Sequence, residues 1–380
     1  MAIFGFSFAF PFLSIFINQD LGVRTGSDLY LWTAASASAS GIALAVASPV
    51  WGVLGDRFGR KPMLVRSMVG GALFVGLIYF VQNPTELVAL RFLQGLTSGT
   101  VAAATALVAA ETPRQRIGWA LGVVTSAVAL GGAIGPVVGG FAGAVFGLRV
   151  VFLVAGALLL LAVIPVFLIV RETPIVRTGG PRVSTLALIN QQPGQRRALT
   201  VLVAAQGLVG LVTSGAQQLV VLRLLEMVHT GVAFVSGIAF GLAGLATSVA
   251  AVGYTRFSQR LGYVKTAAAA SGLLALSVLL TGVAPTSWLV VVAAGLTGLF
   301  GGVVLPATAS MLGLETPHEA QSTVFGINAS SVAIGFFLGP LIGGTVAAAT
   351  ADVSSALYVI AGLSMALAAL LSTQAREPAR

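Results

Sequence analysis

The sequence has no cysteine, and only 8% of its 380 residues are charged. Without cysteine there is no disulfide, no thiolate metal ligand and no thiol nucleophile. The two histidines, His229 and His318, are too far apart in sequence to suggest a zinc site, and the two lysines, Lys61 and Lys265, do not belong to a phosphate-binding G-x-x-x-x-G-K-[ST] loop. Soluble domains carry about 25% charged residues. The composition therefore excludes a water-soluble protein, and we expect no metal, no bound cofactor and no ATPase activity of its own.

Hydrophobic residues make up 57% of the chain, in about twelve apolar stretches that are bounded by charge, proline or glycine. A helix needs about 20 apolar residues to cross the hydrocarbon core of a bilayer. The sequence therefore predicts an all-α integral membrane protein with twelve transmembrane helices. The first stretch, 2–17, begins almost at Met1 and has no basic region before it, so we do not expect a removable signal peptide.

Basic residues orient the twelve stretches, because cytoplasmic loops retain lysine and arginine. With the N-terminus inside, 16 of the 20 basic residues fall in cytoplasmic segments or at their borders. This predicts a multi-pass protein of the cell inner membrane with both termini cytoplasmic. The net charge of +9 is spread between apolar stretches rather than collected on a solvated domain, so nucleic acid is not an expected partner.

The longest polar stretch separates two halves that repeat each other. It predicts an N-terminal six-helix bundle over 1–170, a cytoplasmic linker over 171–197 and a C-terminal six-helix bundle over 198–380. The triplet Glu-Thr-Pro at 111–113 recurs at 315–317, and the glycine pattern that follows it recurs at the same offset of 204. Duplicated transporters hold their substrate near the bilayer midplane between the repeats. A duplicated channel is the alternative, but no carbonyl filter or charged ring is visible.

Three motifs stand out. Between spans two and three, a loop combines glycines, an aspartate and basic residues, and Glu111 at the end of span four is a candidate partner for its basic cluster. The loop residues of interest are Gly52, Asp56, Arg57, Gly59 and Arg60. For Arg60 and Lys61, retention of basic residues in a cytoplasmic loop is the alternative explanation.

The second motif is a glycine-rich face on span five. Glycines four apart lie on one side of a helix and allow close packing of a neighbour, and a proline in the run removes one backbone hydrogen bond. The motif comprises Gly131, Gly135, Pro136, Gly139 and Gly140. Helix packing alone would explain the pattern, since span eleven carries an equivalent run.

The third motif begins span four, where Arg91 is followed by Gln94. A charge within the bilayer costs at least about 2.5–3.5 kcal/mol on insertion scales, so it normally faces a cavity or a partner. The alternative is that the side chain snorkels to the outer surface.

Together the loop, the twelve spans and the basic linker resemble the major facilitator superfamily, and the resemblance covers the whole chain. It implies that the loop after span two acts as a conformational latch. The second-half loop has Gln259 where the first half has Asp56, which departs from the family pattern. The glycine run of span five is similar to the antiporter motif that is found mainly in exporters of the family. The pattern at Arg91 and Gln94 is similar to the family's span-four arginine motif, which is associated with proton transfer.

All eleven acidic residues fall in loops or at span ends, so no carboxylate is expected near a midplane. Asp20, Glu86 and Glu226 are the remaining candidates for proton binding near the outer ends of spans, and an ordinary solvated loop residue is the alternative for each. Phenylalanines and neutral polar residues are candidates for the wall of a substrate cavity. These candidates are Phe8, Phe12, Gln206, Gln217, Phe325 and Asn328. Contact with lipid, for the phenylalanines, and hydrogen bonds between helices, for the glutamines, are the alternatives.

We therefore predict a secondary active transporter of the drug:proton antiporter branch. It would export small amphipathic or hydrophobic compounds by alternating access, as a monomer in the bilayer, with the proton gradient as its energy source. A lipid or glycolipid flippase and a transporter of polar, sugar-like metabolites are the alternatives within the same fold. An integral membrane enzyme is excluded by the lack of a catalytic constellation, and a sensor that does not transport remains a further alternative.

Overall fold

The computed structural model describes residues 2–113, 116–172, 193–316 and 321–377. These residues form helices and connecting turns, without any β-strand in the ranges given. Within these ranges, twelve helices are long and apolar enough to cross a membrane, which confirms the predicted number. The helices, with bounds as observed, are Ala2–Ala9 and Leu13–Gln19 joined by the 3₁₀ turn Phe10–Phe12 (span one), Ser27–Phe58 (two), Arg60–Leu77 with the 3₁₀ turn Ile78–Phe80 (three), Pro84–Thr97 and Thr100–Glu111 (four), Ile117–Phe146 (five), Leu148–Ile169 (six), Pro193–Met227 (seven), Val232–Leu261 (eight), Tyr263–Val283 (nine), Ser287–Glu315 (ten), Gln321–Thr350 (eleven) and Val353–Gln374 (twelve).

Span four is interrupted, although its sequence predicts one continuous apolar stretch over 87–109. Its first helix ends at Thr97 and its second begins at Thr100. Gly99 between them has a φ of +120°, a conformation that side chains with a Cβ rarely adopt. The interruption leaves carbonyl groups in the middle of a span without helical partners.

Two compact units divide the chain. The first comprises Met1–Arg177, with spans one to six, together with Leu224–Gly244, and the second comprises Thr178–Arg223 and Leu245–Arg380. Residues 224–244 belong to the first unit because the beginning of span eight packs closely on span five, where Gly140 and Gly237 face each other. The predicted bundle boundaries at 170 and 198 stay a prediction, and most of the predicted linker lies outside the described residues.

The two units share a pattern of helix packing, in which the third helix of each half contacts the sixth. In the first unit span one contacts spans five and six, span two contacts span four, and span three contacts span six. In the second unit span nine contacts spans ten and twelve. Many large apolar side chains remain exposed, for example Leu168 and Ile169, which are 72% and 74% exposed. Such exposure suits helices whose outer surface meets lipid.

Candidate functional site

The loop after span two is held in place by a carboxylate from the end of span six. Gly59 has a φ of +105°, and a Cβ added there would lie 2.7 Å from Glu172 Oε2. Glu172 accepts hydrogen bonds from the backbone amides of Arg60, at 2.6 Å, and Lys61, at 3.0 Å. These are the first two amides of span three, which lack helical acceptors. Glu172 therefore caps span three.

The second unit repeats this arrangement. Gly262 has a φ of +92°, and Glu377 accepts hydrogen bonds from the amides of Tyr263, at 2.5 Å, and Val264, at 3.0 Å. Glu377 thus caps span nine as Glu172 caps span three. Neither acid is among the site residues that the sequence predicts. The sequence does contain a signal, because each follows an arginine directly after the last span of its half.

The basic residues of the predicted latch reach backbone carbonyls. Arg60 Nη1 donates to the Ala106 carbonyl at 3.0 Å, and Lys61 Nζ donates to the Phe167 carbonyl at 2.9 Å. Cations near such helix carbonyls interact favourably with the helix dipole. The loop is therefore tied to spans four and six through its basic side chains as well as through Glu172.

The other latch candidates lie at the ends of the neighbouring helices. Arg57 stands over the Phe58 ring, with 5.3 Å between the guanidinium carbon and the ring centroid. A Cβ at Gly52 would meet no atom within 4 Å, so no other helix packs closely at that glycine among the described residues. Glu111 is exposed at the end of span four. Asp56 lies in the last turn of span two, but its side chain is outside the described part of the structure.

Arg91 is buried in the first unit, with only 8% of the residue exposed. Its Nε donates to the Ser36 carbonyl at 3.2 Å, its Nη2 donates to Ser40 Oγ at 2.7 Å, and its Nη1 donates to Gln94 Oε1. The guanidinium also lies over the ring of Phe10, at 4.2 Å from the centroid. The structure thus brings Arg91 and Gln94 together, and places the charge among helices rather than at the outer surface.

A second arginine, Arg66, stabilises the interruption of span four. Arg66 Nη2 donates to the Ser98 carbonyl at 3.2 Å, and Trp51 Nε1 donates to the Leu96 carbonyl at 2.7 Å. The guanidinium of Arg66 lies 3.6 Å from the centroid of the Trp51 ring, which is a cation–π contact. The carbonyls at the end of the first helix of span four therefore accept hydrogen bonds from side chains of spans two and three.

The glycine face of span five packs directly against the backbone of span one. A Cβ at Gly131 would lie 2.9 Å from the Phe4 nitrogen, and one at Gly135 would lie 2.7 Å from Ser7 Cβ. A Cβ at Gly139 would collide with the Phe8 carbonyl. Pro136 lies between these glycines, inside the helix.

Gly140 faces span eight rather than span one. A Cβ there would lie 2.5 Å from the Ala233 carbonyl and 2.9 Å from Gly237 Cα, both on span eight. Span five therefore makes two close backbone contacts, one with span one and one with span eight.

The equivalent glycines of span eleven pack on span seven. A Cβ at Gly335 would collide with the Gly207 carbonyl, and one at Gly339 would collide with the Leu211 carbonyl and lie 2.7 Å from the Gly215 nitrogen. Close packing on the first helix of each half is thus a property that both units share. Span five differs in one respect, because Gly140 also contacts span eight.

The predicted cavity residues differ in exposure. In the first unit Phe8 and Phe12 are buried, at 4% and 0% exposure. In the second unit Gln206 is buried and its Nε2 donates to the Leu305 carbonyl at 3.2 Å, as expected for a bond between helices. Gln217 is exposed.

The remaining two cavity candidates lie on span eleven. Phe325 is 41% exposed. Asn328 is buried, and its Oδ1 has no hydrogen-bond partner among the described residues. Asn328 is therefore a buried cavity candidate whose side-chain oxygen can still accept a hydrogen bond.

Three acidic residues lie near the span ends that are predicted to be on the outer side of the membrane. Glu86 is satisfied locally by the amide of Gln82, at 2.9 Å, and by Asn83 Nδ2, at 2.7 Å. Glu226 accepts a hydrogen bond from the buried Tyr30 hydroxyl at 2.7 Å.

The third acidic residue, Asp20, pairs with Arg149 at 3.5 Å. Burial raises the pKa of the Asp20 carboxyl, and the nearby guanidinium of Arg149 lowers it by less. The surroundings of Asp20 therefore favour uptake of a proton by its carboxylate.

Comparison with known proteins assigns the chain to a family. The sequence profile of the Major Facilitator Superfamily matches residues 1–254 and 218–380. The chain therefore belongs to that superfamily, which confirms the predicted resemblance, and it is a multi-pass membrane transporter rather than an enzyme.

Two relatives of the chain are multidrug resistance proteins. MdtG of Dickeya zeae (strain Ech586) is 31% identical over 350 residues, which cover 90% of this chain and 84% of that protein. MdtG of Proteus mirabilis (strain HI4320) is 30% identical over 348 residues, which cover 90% of this chain and 86% of that protein.

Solved structures share the fold at low identity. A mutant of the nucleoside transporter NupG has a TM-score of 0.77 at 14% identity, with 99% of this chain and 98% of that one covered. The human organic anion transporter MFSD10 (TETRAN) has a TM-score of 0.66 at 20% identity, with 97% and 96% covered. At such identities the likeness concerns the fold alone.

Proposed function

We propose that the chain is a proton-coupled exporter of small amphipathic or hydrophobic compounds in the bacterial inner membrane, working by alternating access. The observation that carries this proposal is the identity of about 30% to proteins named for multidrug resistance over 90% of the chain. A flippase or a carrier of polar metabolites would lack this support.

The geometry of span five supports the alternating-access part of the proposal. Its glycines allow backbone contact with span one and with span eight, at Gly135 and Gly140 respectively. Small residues at helix interfaces in membranes let two backbones approach closely, and an interface of this kind has few interlocking side chains that would oppose a relative movement of the helices. A transporter that alternates between two states needs such surfaces.

Proton coupling requires a group that changes its protonation between the two states. Asp20 is the candidate with the best support, because burial raises the pKa of its carboxyl. Arg149 Nη1 donates to the carbonyls of Tyr79 and Val81, at 2.8 Å and 2.7 Å, so the cation that faces Asp20 is fixed in place. A change in the Asp20–Arg149 distance would move the pKa of Asp20 and couple proton uptake to conformation.

The test is dye accumulation in everted membrane vesicles under an imposed pH gradient. Wild-type vesicles should accumulate an amphipathic dye when the lumen is acidic, and a protonophore should abolish the accumulation. Gly135→Leu serves as the inactive control, because its side chain cannot fit against Ser7. Equal accumulation by wild type and Gly135→Leu, or accumulation that ignores the gradient, would contradict the proposal.

A further inference from the structure

The surroundings of Arg91 leave some of the hydrogen-bond donors of its guanidinium without an acceptor in the described part of the chain. A guanidinium has five N–H groups, and Arg91 uses three of them, toward Ser36, Ser40 and Gln94. No carboxylate in the described part of the chain forms an ion pair with it. A buried charge without a counter-ion is unfavourable in the low dielectric of a membrane. Within the described residues, two N–H groups thus remain without an acceptor and the positive charge without a carboxylate partner.

Span two adds two hydroxyl groups to the same region. Thr33 and Ser36 are 2% and 0% exposed, and neither Oγ atom has a hydrogen-bond partner in the described part of the chain. With Ser40 they follow a spacing of three and four residues, which places all three on one face of the helix. Arg91 bonds this face at Ser36 and at Ser40. Buried hydroxyls normally find a partner, so the helix face that Arg91 bonds at Ser36 and Ser40 has unused hydrogen-bonding capacity.

An apolar wall borders the same charge. The Phe10 ring lies under the guanidinium, and Phe6 stacks on Phe10 with ring centroids 5.7 Å apart and an angle of 17° between the planes. Both rings are partly exposed. A ligand that meets Arg91 would therefore also meet aromatic surface on span one.

We propose that Arg91, Thr33 and Ser36 form a receptor for the anionic group of amphipathic organic anions, and that Phe10 and Phe6 contact the apolar body of the same compounds. An anionic oxygen would accept from the free N–H groups of Arg91 and from the two hydroxyls, and charge-assisted bonds of this kind are the strong ones. The substrate class is then carboxylate-bearing amphiphiles. This inference rests on the proposed transport function for its physiological meaning, while the binding site itself can be tested alone.

A cationic ligand is the less suitable occupant of this cluster. It would bring a second positive charge to a buried guanidinium that has no carboxylate partner in the described residues. Water would satisfy some of the hydrogen bonds but would leave the charge uncompensated. The arrangement therefore selects ligands by the sign of their charge.

The first experiment measures equilibrium binding to the purified full-length protein. Fluorescein, which is anionic at about pH 8, and a rhodamine ester, which is cationic, share one ring system and differ in charge. Fluorescence anisotropy should show tighter binding of fluorescein to wild type. Arg91→Gln should weaken fluorescein binding at least about 10-fold, with no loss of rhodamine binding.

The hydroxyl variants separate the site from the stability of the fold. Thr33→Val and Ser36→Ala remove hydroxyls without a partner among the described residues, so their melting temperatures should equal or exceed that of wild type. Each should weaken fluorescein binding about 3- to 10-fold. Ser48→Ala, on the same span, is the matched control, because Ser48 Oγ bonds the Leu44 carbonyl at 2.7 Å within its own helix. It should bind fluorescein as wild type does.

Two results of the binding experiments would each overturn the proposal. One is fluorescein affinity that is unchanged in Arg91→Gln and in both hydroxyl variants. The other is full displacement of fluorescein by an equal concentration of inorganic phosphate, which would indicate a site for small inorganic anions only. The vesicle assay distinguishes a failure of the anion site from a failure of the proposed function. Proton-driven transport of the rhodamine alone would support the function and contradict the anion site, whereas selective fluorescein binding without gradient-driven transport would do the reverse.

Discussion

The packing of span five on span one makes a quantitative prediction for two glycines of the same helix. A methyl group at Gly139 would lie 2.8 Å from the carbonyl carbon of Phe8 and would collide with its oxygen, whereas a methyl group at Gly132 meets no atom within 4 Å. The obstacle at Gly139 is backbone, so it cannot rotate away as a flexible side chain would. Relief requires span one to move relative to span five.

The magnitudes follow from this difference. Overpacking of a well-packed interface costs about 1–3 kcal/mol, and alanine gains about 0.5–1 kcal/mol over glycine in a helix interior. Gly139→Ala should therefore lose up to about 2.5 kcal/mol of stability, with the loss toward the upper end because the obstacle is backbone. Gly132→Ala should gain about 0.5–1 kcal/mol.

Thermal unfolding of both purified variants in the same detergent provides the assay. The melting temperature of Gly139→Ala should fall below that of wild type, and that of Gly132→Ala should equal or exceed it. Dye transport should be reduced in Gly139→Ala alone. Equal shifts of the two melting temperatures, or a larger loss in Gly132→Ala, would refute the close-packing argument.

Three further predictions concern acidic residues. Asp56→Asn should reduce efflux about 10-fold without lowering the amount of protein in the membrane, as expected for loss of a coupling of about 1–3 kcal/mol; wild-type flux would exclude the latch. Glu172→Ala should lower stability by about 1–2 kcal/mol and Glu377→Ala by less, because Glu377 is more exposed; thermal unfolding near neutral pH measures both, and no change in Glu172→Ala would contradict the cap. Asp20 has a raised pKa in the folded protein, so the stability that it contributes is present below its unfolded pKa of about 3.9 and is lost as pH rises through the folded value. Asp20→Asn should therefore melt above wild type at about pH 8 and match it near about pH 3.5; the opposite pH dependence would show that Arg149 outweighs burial.

Hydrophobic runs and basic residues are sufficient to predict the helices of this protein. The twelve spans and the resemblance to the superfamily are confirmed, because length and apolar composition alone decide whether a helix can cross a bilayer. The interruption of span four is not predicted. Its sequence there, Thr-Ser-Gly-Thr at 97–100, stays compatible with a helix until the donors of Trp51 and Arg66 offer the carbonyls an alternative.

The candidate site is predictable in part. Arg91 and Gln94 stand out in the sequence because a charge in an apolar stretch needs a partner, and the structure shows them bonded to each other. The roles assigned to them, to the latch and to the cavity residues stay predictions. The hydroxyls of Thr33 and Ser36 carry no such signal, since serines and threonines are common in membrane helices and only the fold shows which of those described lack a partner.

The caps provided by Glu172 and Glu377 have a consequence for how the chain is made. Glu172 follows Arg60 by 112 residues, and Glu377 follows Tyr263 by 114. During synthesis the first turn of span three therefore remains uncapped until span six has left the ribosome, and that of span nine waits until span twelve has done so. Each cap can therefore form only after the sixth helix of its half has been made, so it is a late contact during the synthesis of that half.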